Sequence, residues 1–197
     1  KYPGMTSKLH VLQNWVDLRH HTTDASKINF REKWDIWHRQ IAIFAGVMGP
    51  SQYLELILLI AEKIQDDMEL LFLLVGEGVE KQKLIKMAKT KKLENVRFEG
   101  FVSREAYPDL LEICSIGLVC LSPQNRTPVV PGKILGYMAA GLPIAAFLHS
   151  NSDGHEIISE AECGLSADSS DPDACFKAML ALTQQSGTFE EIGRSGR

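Results

Sequence analysis

A chain of 197 residues has the length of one large domain or two small ones. Hydrophobic residues make up 45% of it and charged residues 23%, which excludes disordered, collagen-like and disulfide-scaffold proteins. The formal net charge of -4 argues against nucleic acid as the main partner, because phosphate-backbone binding needs a dense cationic surface. The longest apolar run, residues 54–61, is much shorter than the roughly 20 residues that cross a bilayer.

The first 39 residues differ from the rest, and we interpret them as an interdomain segment that approaches the main domain. Residues 9–12 are predicted to form a strand, whereas residues 29–39 are rich in charge and weakly periodic. Trp15, Trp34 and Trp37 are expected to pack against the surface of the domain, or else to contact a further domain. The opening residues have no apolar segment typical of a secretory signal, and we expect them to come from the middle of a longer protein.

From Gln40 onward, short apolar runs alternate with longer segments of helical periodicity. The apolar runs predict strands over Ile41–Ala45, Leu70–Val75, Val96–Phe98, Ile116–Cys120 and Pro143–Phe147. The periodic segments predict helices over Gln52–Gln65, Glu80–Lys92, Arg104–Cys114, Pro131–Ala140, His155–Ala161 and from Asp171 to about Gln184, with Ser51 and Ser103 as N-caps of the first and third. This order predicts a Rossmann-like doubly wound parallel sheet with helices on both faces, in which ligands bind beyond the carboxyl ends of the strands.

The second predicted helix carries a cluster of lysines. Its members are Lys81, Lys83, Lys86, Lys89, Lys91 and Lys92. A solvated helix face explains such a cluster, and a patch that contacts anionic lipid headgroups is the alternative. The cluster therefore leaves peripheral contact with an anionic membrane open.

The cysteines and histidines lack the spacing of a metal site. Cys114, Cys120, Cys163 and Cys175 form no C-x-x-C pair, and the six histidines are scattered along the chain. The apolar surroundings of the cysteines predict small buried side chains with reduced thiols, which is typical of a cytoplasmic protein. We therefore expect no bound metal.

Glycine-rich turns follow the first and fourth predicted strands. Gly46 and Gly49 precede a helix, where backbone amides can approach a phosphate. The loop after the fourth strand leads to Gly132 and Lys133 in the first turn of a helix, and this combination can hold a diphosphate. The alternative for Lys133 is an ordinary exposed helix residue. The chain contains neither G-x-G-x-x-G nor a P-loop, so dinucleotide-dependent enzymes and P-loop proteins have no support.

A series of segments between Asn14 and Arg197 resembles, in order, the carboxyl-terminal donor-binding domain of retaining glycosyltransferase family 4, which has the two-domain glycosyltransferase-B fold. The segments are QNWVD at 13–17, FAGVMG at 44–49, LVGEGVEK at 74–81, VRFEGFV at 96–102, ILGYMAAGLP at 134–143, CGL at 163–165 and DPD at 171–173. The stretch VPGKILGYMAAG at 130–141 is most similar to transferases of bacterial surface polysaccharide synthesis. Those enzymes use UDP-linked amino sugars and lipid-linked acceptors at the cytoplasmic membrane face.

The chain departs from the family pattern at its acidic pair. The resemblance implies acidic residues at positions 128 and 136, where this chain has Pro128 and Gly136. The second acidic residue of the family binds the nucleotide ribose, and Gly136 has no side chain to do so. Basic residues usual in the first phosphate loop are also missing from residues 47–52, which makes Lys133 the main positive charge expected at the diphosphate.

The resemblance implies retaining transfer of a sugar, such as an N-acetylated 6-deoxyhexosamine, from a UDP-linked donor to a lipid-linked or saccharide acceptor. Residues 40–197 would bind the donor without metal or other cofactor, and the protein's own amino-terminal domain would supply the acceptor site. The diphosphate is assigned to Gly49, Gly132 and Lys133, and the uracil to the backbone of Phe101 and Val102. The donor-binding set is completed by Ser51, Glu77, Gly78 and Thr127. A non-catalytic nucleotide-binding or regulatory module is the alternative function.

Overall fold

Six parallel strands form the core of the chain in a computed structural model that describes residues 15–16, 27–38, 40–66, 69–125 and 130–197. They are β1 (Gln40–Ala45), β2 (Leu70–Val75), β3 (Val96–Glu99), β4 (Ile116–Cys120), β5 (Ile144–Leu148) and β6 (Gly164–Asp168). Their order across the sheet is β3-β2-β1-β4-β5-β6. Because β1 and β4 are neighbours whose following segments lead to opposite halves of the sheet, a crevice opens between their carboxyl ends.

Helices cover both faces of this sheet, which confirms the predicted doubly wound architecture. They are α1 (Phe30–Lys33), α2 (Glu55–Lys63), α3 (Lys81–Thr90), α4 (Tyr107–Glu112), α5 (Gly132–Ala140), α6 (Gly154–Glu160), α7 (Pro172–Gln184) and α8 (Phe189–Gly196). Buried residues of α2, α3 and α7 pack on one face of the sheet, and those of α1, α4, α5 and α6 pack on the other. None of the helices in the described residues is long and apolar enough to span a membrane.

The strands form where apolar residues can be buried on both sides of the sheet. All six residues of β2 are buried, and the register of β1 on β2 runs from Gln40↔Leu70 to Ala45↔Val75. Continuous apolar runs of this kind are typical of central parallel strands. The five predicted strands therefore agree with the structure to within one residue at each end.

The sequence analysis missed β6 and the helices α1 and α8. The sequence of β6 is GLSAD, and every one of its residues is only half buried because β6 lies at the edge of the sheet. An edge strand needs no continuous apolar run, so it gives little periodic signal. The four-residue helix α1 depends on one cap, in which the side chain of Asn29 accepts a hydrogen bond from the N–H of Glu32.

The predicted N-caps have mixed outcomes. The helix predicted from Asp171 is capped by that residue, whose side chain accepts hydrogen bonds from the N–H groups of Asp173 and Ala174. Ser51 is not an N-cap, because it lies in a 3-10 turn and α2 begins only after Tyr53, which has a φ of +47°. The hydroxyl of Ser103 accepts from the N–H of Ala106 at 3.4 Å, although α4 itself begins at Tyr107.

The segment before β1 buries different residues from those expected. Phe30 and Ile36 are each 1% exposed and join the core, and the ring of Trp34 packs against Phe30 at 4.6 Å. Trp15 and Trp37 are 77% and 79% exposed, so the expectation that they pack against the domain is wrong. Phe30 and Ile36 occupy the buried positions instead. The strand predicted over residues 9–12 lies outside the described residues.

The lysine cluster on and after α3 divides into three groups. Lys83 forms ion pairs with Glu55 and Glu80, and Lys91 forms one with Glu62. Lys81 turns inward and donates to the carbonyls of Gly76 and Glu99 at 2.9 Å, so a solvated face is the wrong prediction for this residue. The remaining three lysines of the cluster are exposed and have no carboxylate partner within the described ranges. They are Lys86, Lys89 and Lys92.

All four cysteines are free and buried, as predicted. Burial raises the pKa of each thiol above its ordinary value, to about 12 in Cys175. A buried thiol with a raised pKa stays protonated and unreactive at neutral pH. These side chains therefore serve as small apolar core residues.

Candidate functional site

Loops after β1 and β2 meet at the carboxyl edge of the sheet and are joined by backbone hydrogen bonds. The N–H of Gly46 donates to the carbonyl of Val75 at 2.9 Å, and the N–H of Met48 donates to that of Glu77 at 2.8 Å. The carbonyl of Met48 accepts from the N–H of Glu80 at 3.0 Å. These bonds hold the loops in fixed relative positions without using side chains.

Glycine is required at two positions where these loops touch. Gly76 and Gly78 have φ angles of +136° and +157°. A Cβ on Gly76 would lie 2.0 Å from the carbonyl oxygen of Gly46, and one on Gly78 would lie 2.3 Å from that of Met48. Gly78 was predicted to border the crevice, and in the structure it brings two loop backbones into contact there.

A cleft of about 280 Å³ opens beside these loops. The predicted residues Glu77, Phe101 and Val102 all line it, together with Val47 and Tyr107. The ring of Phe101 is 79% exposed and stands at the rim. Burial raises the pKa of Tyr107 to about 12, so its phenol is neutral at physiological pH. Glu77 does not contribute an unpaired negative charge to the cleft, because its carboxylate binds Lys81 at 2.7 Å.

Lys133 reaches from α5 to the loop after β1, next to the same cleft. A Cβ on Gly46 would lie 2.9 Å from its Cε and 3.2 Å from its Nζ. The Nζ donates to Oε1 of Gln52 at 3.0 Å and lies 4.7 Å from the centre of the Phe44 ring. Lys133 has no carboxylate partner in the part of the chain that the structure describes. Burial lowers the pKa of its ammonium group below the ordinary lysine value.

This geometry separates the two alternatives for Lys133. An ordinary exposed helix residue would extend into water, whereas the end of this side chain is half buried against Gly46 and Phe44. A half-buried ammonium group without a counterion is costly, because it has lost part of its hydration. The structure therefore excludes an ordinary exposed helix residue at Lys133.

The other predicted diphosphate residues lie on the two loops that flank Lys133. Gly49 accepts a hydrogen bond from the N–H of Gln52 at 3.0 Å. The carbonyl of Ser51 accepts a hydrogen bond from the N–H of Ser122 at 2.9 Å, and this bond joins the loop after β1 to the loop after β4. Gly132 begins α5 and is exposed, so its backbone N–H is accessible to a ligand. Thr127 and Pro128 lie outside the described residues.

Gly136 lies on α5 three residues after Lys133, where the family pattern has an acidic residue. A Cβ at this position would have no neighbouring atom within 4 Å among the described residues. Residues three apart share one side of a helix. The structure therefore has room for a larger side chain at position 136.

Tyr137 is a residue of this region that the sequence analysis did not single out. Its side chain is fully buried, and its hydroxyl donates to the carbonyl of Ile43 at 3.1 Å and accepts from the N–H of Ala45 at 3.2 Å. Gln52 and Tyr107 were missed as well. The only sequence signal for Tyr137 was its spacing of four residues from Lys133, which places both on one side of a helix.

A second polar cluster lies at the carboxyl ends of β5 and β6. One ring nitrogen of His155 is 2.8 Å from the hydroxyl of Ser166, and the other is 3.3 Å from the carbonyl oxygen of His149. Hydrogen bonds from Ser170 lower the pKa of Asp168 in the same region. Among the described residues, no group of three or more His, Cys, Asp or Glu side chains is placed to hold a metal ion.

Comparison with known proteins assigns the chain to a family. The model of the family described as glycosyl transferases group 1 matches residues 39–185, which is well over half of the chain. The chain belongs to the group 1 glycosyltransferases. The family assignment agrees with the resemblance drawn from the sequence motifs, and the matched region includes every described strand.

Individual members of the group 1 glycosyltransferases are similar over different lengths. A protein of Escherichia coli (strain K12) described as a colanic acid biosynthesis glycosyl transferase, WcaI, is 30% identical over 131 residues, which are 65% of this chain and 32% of WcaI. Anabaena Alr3699/HepE, solved with UDP and glucose, has a TM-score of 0.76 at 16% identity and covers 95% of this chain and 50% of its own.

The lipopolysaccharide biosynthesis glycosyltransferase WaaG has a TM-score of 0.69 at 16% identity, over 85% of this chain and 44% of its own. At such low identity, HepE and WaaG show the fold and not the ligand. They identify the sheet as one half of a glycosyltransferase-B fold. The chain spans about a third of WcaI and about half of HepE.

Proposed function

We propose that this chain binds the diphosphate of a UDP-linked sugar and forms the donor half of a retaining glycosyltransferase. The observation that carries the proposal is Lys133, whose half-buried ammonium group lies against Gly46 and has no carboxylate partner among the described residues. An anion that binds there recovers the electrostatic energy that the lysine lost on burial. Gly132 adds the free N–H of a helix first turn, which also favours negative charge.

The arrangement suits the charge that develops during glycosyl transfer. When the bond between the anomeric carbon and the phosphate oxygen breaks, negative charge builds up on the departing diphosphate. A preorganised ammonium group and backbone N–H groups stabilise that charge as it forms. Lys133 would stabilise this charge next to the loop after β1, residues 46–52. The proposal requires no metal ion.

The cleft next to Gly46 suits the nucleobase. Val47 and the rings of Phe101 and Tyr107 give it apolar walls, which is typical of sites for planar ligands. Lys133 and the cleft both adjoin Gly46, so a base in the cleft leaves the diphosphate beside the ammonium group. The backbone of Phe101 and Val102 remains our assignment for the uracil edge.

The rest of the activity is proposed from the relatives. WcaI is described in colanic acid biosynthesis and WaaG in lipopolysaccharide biosynthesis, which supports a role in bacterial surface polysaccharide synthesis. We propose that the sugar is an N-acetylated 6-deoxyhexosamine, transferred with retention to a lipid-linked or saccharide acceptor. Residues 1–39 would lead from an amino-terminal acceptor domain of the same protein into the donor domain at residues 40–197.

We also propose a cytoplasmic location with peripheral contact at the inner face of the membrane. Lys86, Lys89 and Lys92 are exposed and have no carboxylate partner within the described ranges, although the chain carries a net charge of -4. A basic patch on an acidic protein gives one face an attraction to anionic headgroups. The charge of this patch is the observation that supports the proposed membrane contact.

The proposed donor is tested by calorimetric titration of the chain with UDP, with GDP as the comparator. We expect UDP to bind and GDP to bind at least about tenfold more weakly, because we assign the cleft to a pyrimidine ring and a larger purine would leave part of its surface exposed. Equal affinities would contradict a pyrimidine donor. Binding of neither nucleotide would favour the alternative of a non-catalytic module.

Restoring the acidic side chain on α5 is expected to strengthen the interaction. Gly136→Glu places a carboxylate where the family binds the ribose, and we expect the affinity for UDP to rise about five- to tenfold. Glycine inside a helix costs about 0.5–1 kcal/mol relative to alanine, so the variant should also be slightly more stable.

The matched control for this change is Gly136→Ala. It supplies the same gain in helix stability without a carboxylate, so its affinity for UDP should equal that of the wild type. If both variants gain affinity equally, the effect comes from the stiffer helix and the ribose contact is not restored. Titration calorimetry and urea unfolding separate the two contributions.

A further inference from the structure

Tyr137 holds the end of β1 at the point where β1 leaves its neighbour. The register between β1 and β4 consists of Ala42↔Ile116 and Ile43↔Gly117, whereas the register between β1 and β2 continues to Ala45. Beyond Ile43, the N–H of Ala45 donates to the hydroxyl of Tyr137. The same hydroxyl donates to the carbonyl of Ile43. A side chain of α5 therefore continues the bonding of β1 where the sheet splits.

The ring of Tyr137 is fixed as firmly as its hydroxyl. A Cβ on Gly117 would lie 2.4 Å from the Cγ and Cδ2 atoms of the ring, so the ring lies directly on the backbone of β4. Its side chain is fully buried. Burial raises the pKa of Tyr137 well above its ordinary value, so the hydroxyl keeps the proton that it donates. The ring fills the space between the diverging strands.

Tyr137 and Lys133 lie one turn apart on the same side of α5. The hydroxyl of Tyr137 is bonded to the last residue of β1, and the end of Lys133 lies against Gly46, the next residue along the chain. The position of α5 along β1 therefore determines where the ammonium group stands. A shift or rotation of α5 would move Nζ away from Gly46 and Gln52.

We propose that Tyr137 is a positioning residue that fixes α5 against the end of β1 and so holds the ammonium group of Lys133 over the first loop. This inference rests on the proposed function for its consequence in donor binding. Its geometric part, the placement of Lys133, does not depend on any ligand. The two parts can therefore be tested separately.

The ligand-free test measures the pKa of Lys133 by NMR titration of its side chain. The ring remains in Tyr137→Phe, so the fold is expected to persist while α5 loses its bond to β1. The titratable group whose charge would act on Lys133 is Cys120, which is fully buried. We expect the lowered pKa of Lys133 to move back toward its ordinary value, because the side chain becomes more hydrated.

The control is Met138→Leu, a change of similar volume at the next position of α5. The side chain of Met138 lies beside Gly196 of α8. This variant repacks the helix without touching the bond to β1, so the pKa of Lys133 should stay unchanged. An unchanged pKa in Tyr137→Phe as well would overturn the positioning role.

The ligand-dependent test is a double-mutant cycle with UDP. Tyr137→Phe is expected to weaken binding about tenfold in the wild-type background and less than about twofold in the Lys133→Ala background, since coupled residues are non-additive. Equal losses in both backgrounds would mean that Tyr137 acts independently of Lys133. If the wild type fails to bind UDP while the pKa of Lys133 still responds to Tyr137→Phe, the proposed function fails and the positioning role stands.

Discussion

Gly76→Ala is expected to destabilise the fold by about 3 kcal/mol or more. The backbone of Gly76 has a φ of +136°, and a Cβ there would lie 2.0 Å from the carbonyl oxygen of Gly46. A side chain in this region of conformational space costs about 1–3 kcal/mol, and forcing an added carbon into a closed site costs about another 1–3 kcal/mol. The obstacle is backbone, which cannot rotate away as a side chain would.

Urea unfolding followed by circular dichroism measures this effect, with Gly132→Ala as the matched control. A Cβ on Gly132 would meet no atom within 4 Å among the described residues, so the control should unfold at the wild-type urea concentration or slightly above it. Equal midpoints for Gly76→Ala and the control would show that the contact between the first two loops is looser than described. In that case Gly76 would not be a structural requirement.

Lys133→Ala is expected to weaken UDP binding about 10- to 150-fold, which corresponds to about 1.5–3 kcal/mol for a lost charge-assisted hydrogen bond. The effect is large because the first loop, residues 46–52, has no basic residue that could replace the ammonium group. Lys86→Ala is the control, since Lys86 is an exposed lysine on α3 outside the crevice. Wild-type affinity in Lys133→Ala would move the diphosphate to another place in the crevice.

The pH dependence of UDP binding is a second test of the role of Lys133. Burial lowers the pKa of Lys133 below its ordinary value, and only the protonated form attracts a diphosphate. The affinity should therefore be full below that lowered pKa and fall as the pH rises through it. Lys133→Ala removes the group that titrates, so its weaker affinity should lack this alkaline decline. An identical decline in both proteins would assign the titration to another group.

Strands that are buried on both sides were predicted correctly from the sequence, whereas β6, which is less buried, was missed. β2 and β4 have apolar residues throughout because both of their faces are covered, and their bounds agree with the prediction. β6 has one neighbour and only half-buried residues, so its sequence GLSAD carries no periodic signal. The start of α2 was placed too early because Tyr53 takes a left-handed conformation that no local pattern announces.

The site was predictable where the backbone forms it and less so where side chains from distant segments meet. Gly46, Gly49 and Gly132 stand out in the sequence because glycine turns before helices are recognisable. The contact between Lys133 and Gln52 joins residues 81 positions apart, and the bond between Ala45 and Tyr137 joins residues 92 positions apart. Such pairs follow from the crossing of β1 and α5, which periodicity alone does not specify.

The backbone bonds between the loops after β1 and β2 also bear on how this crevice can diversify during evolution. Main-chain groups make the bonds between these two loops, whereas Val47, Val79 and Phe101 are each more than two-thirds exposed. A lineage can exchange these side chains, and with them the surface that the crevice presents, without rebuilding the backbone of the loops. Gly76 and Gly78 are the positions where such drift is blocked, because any added side chain would separate the loops.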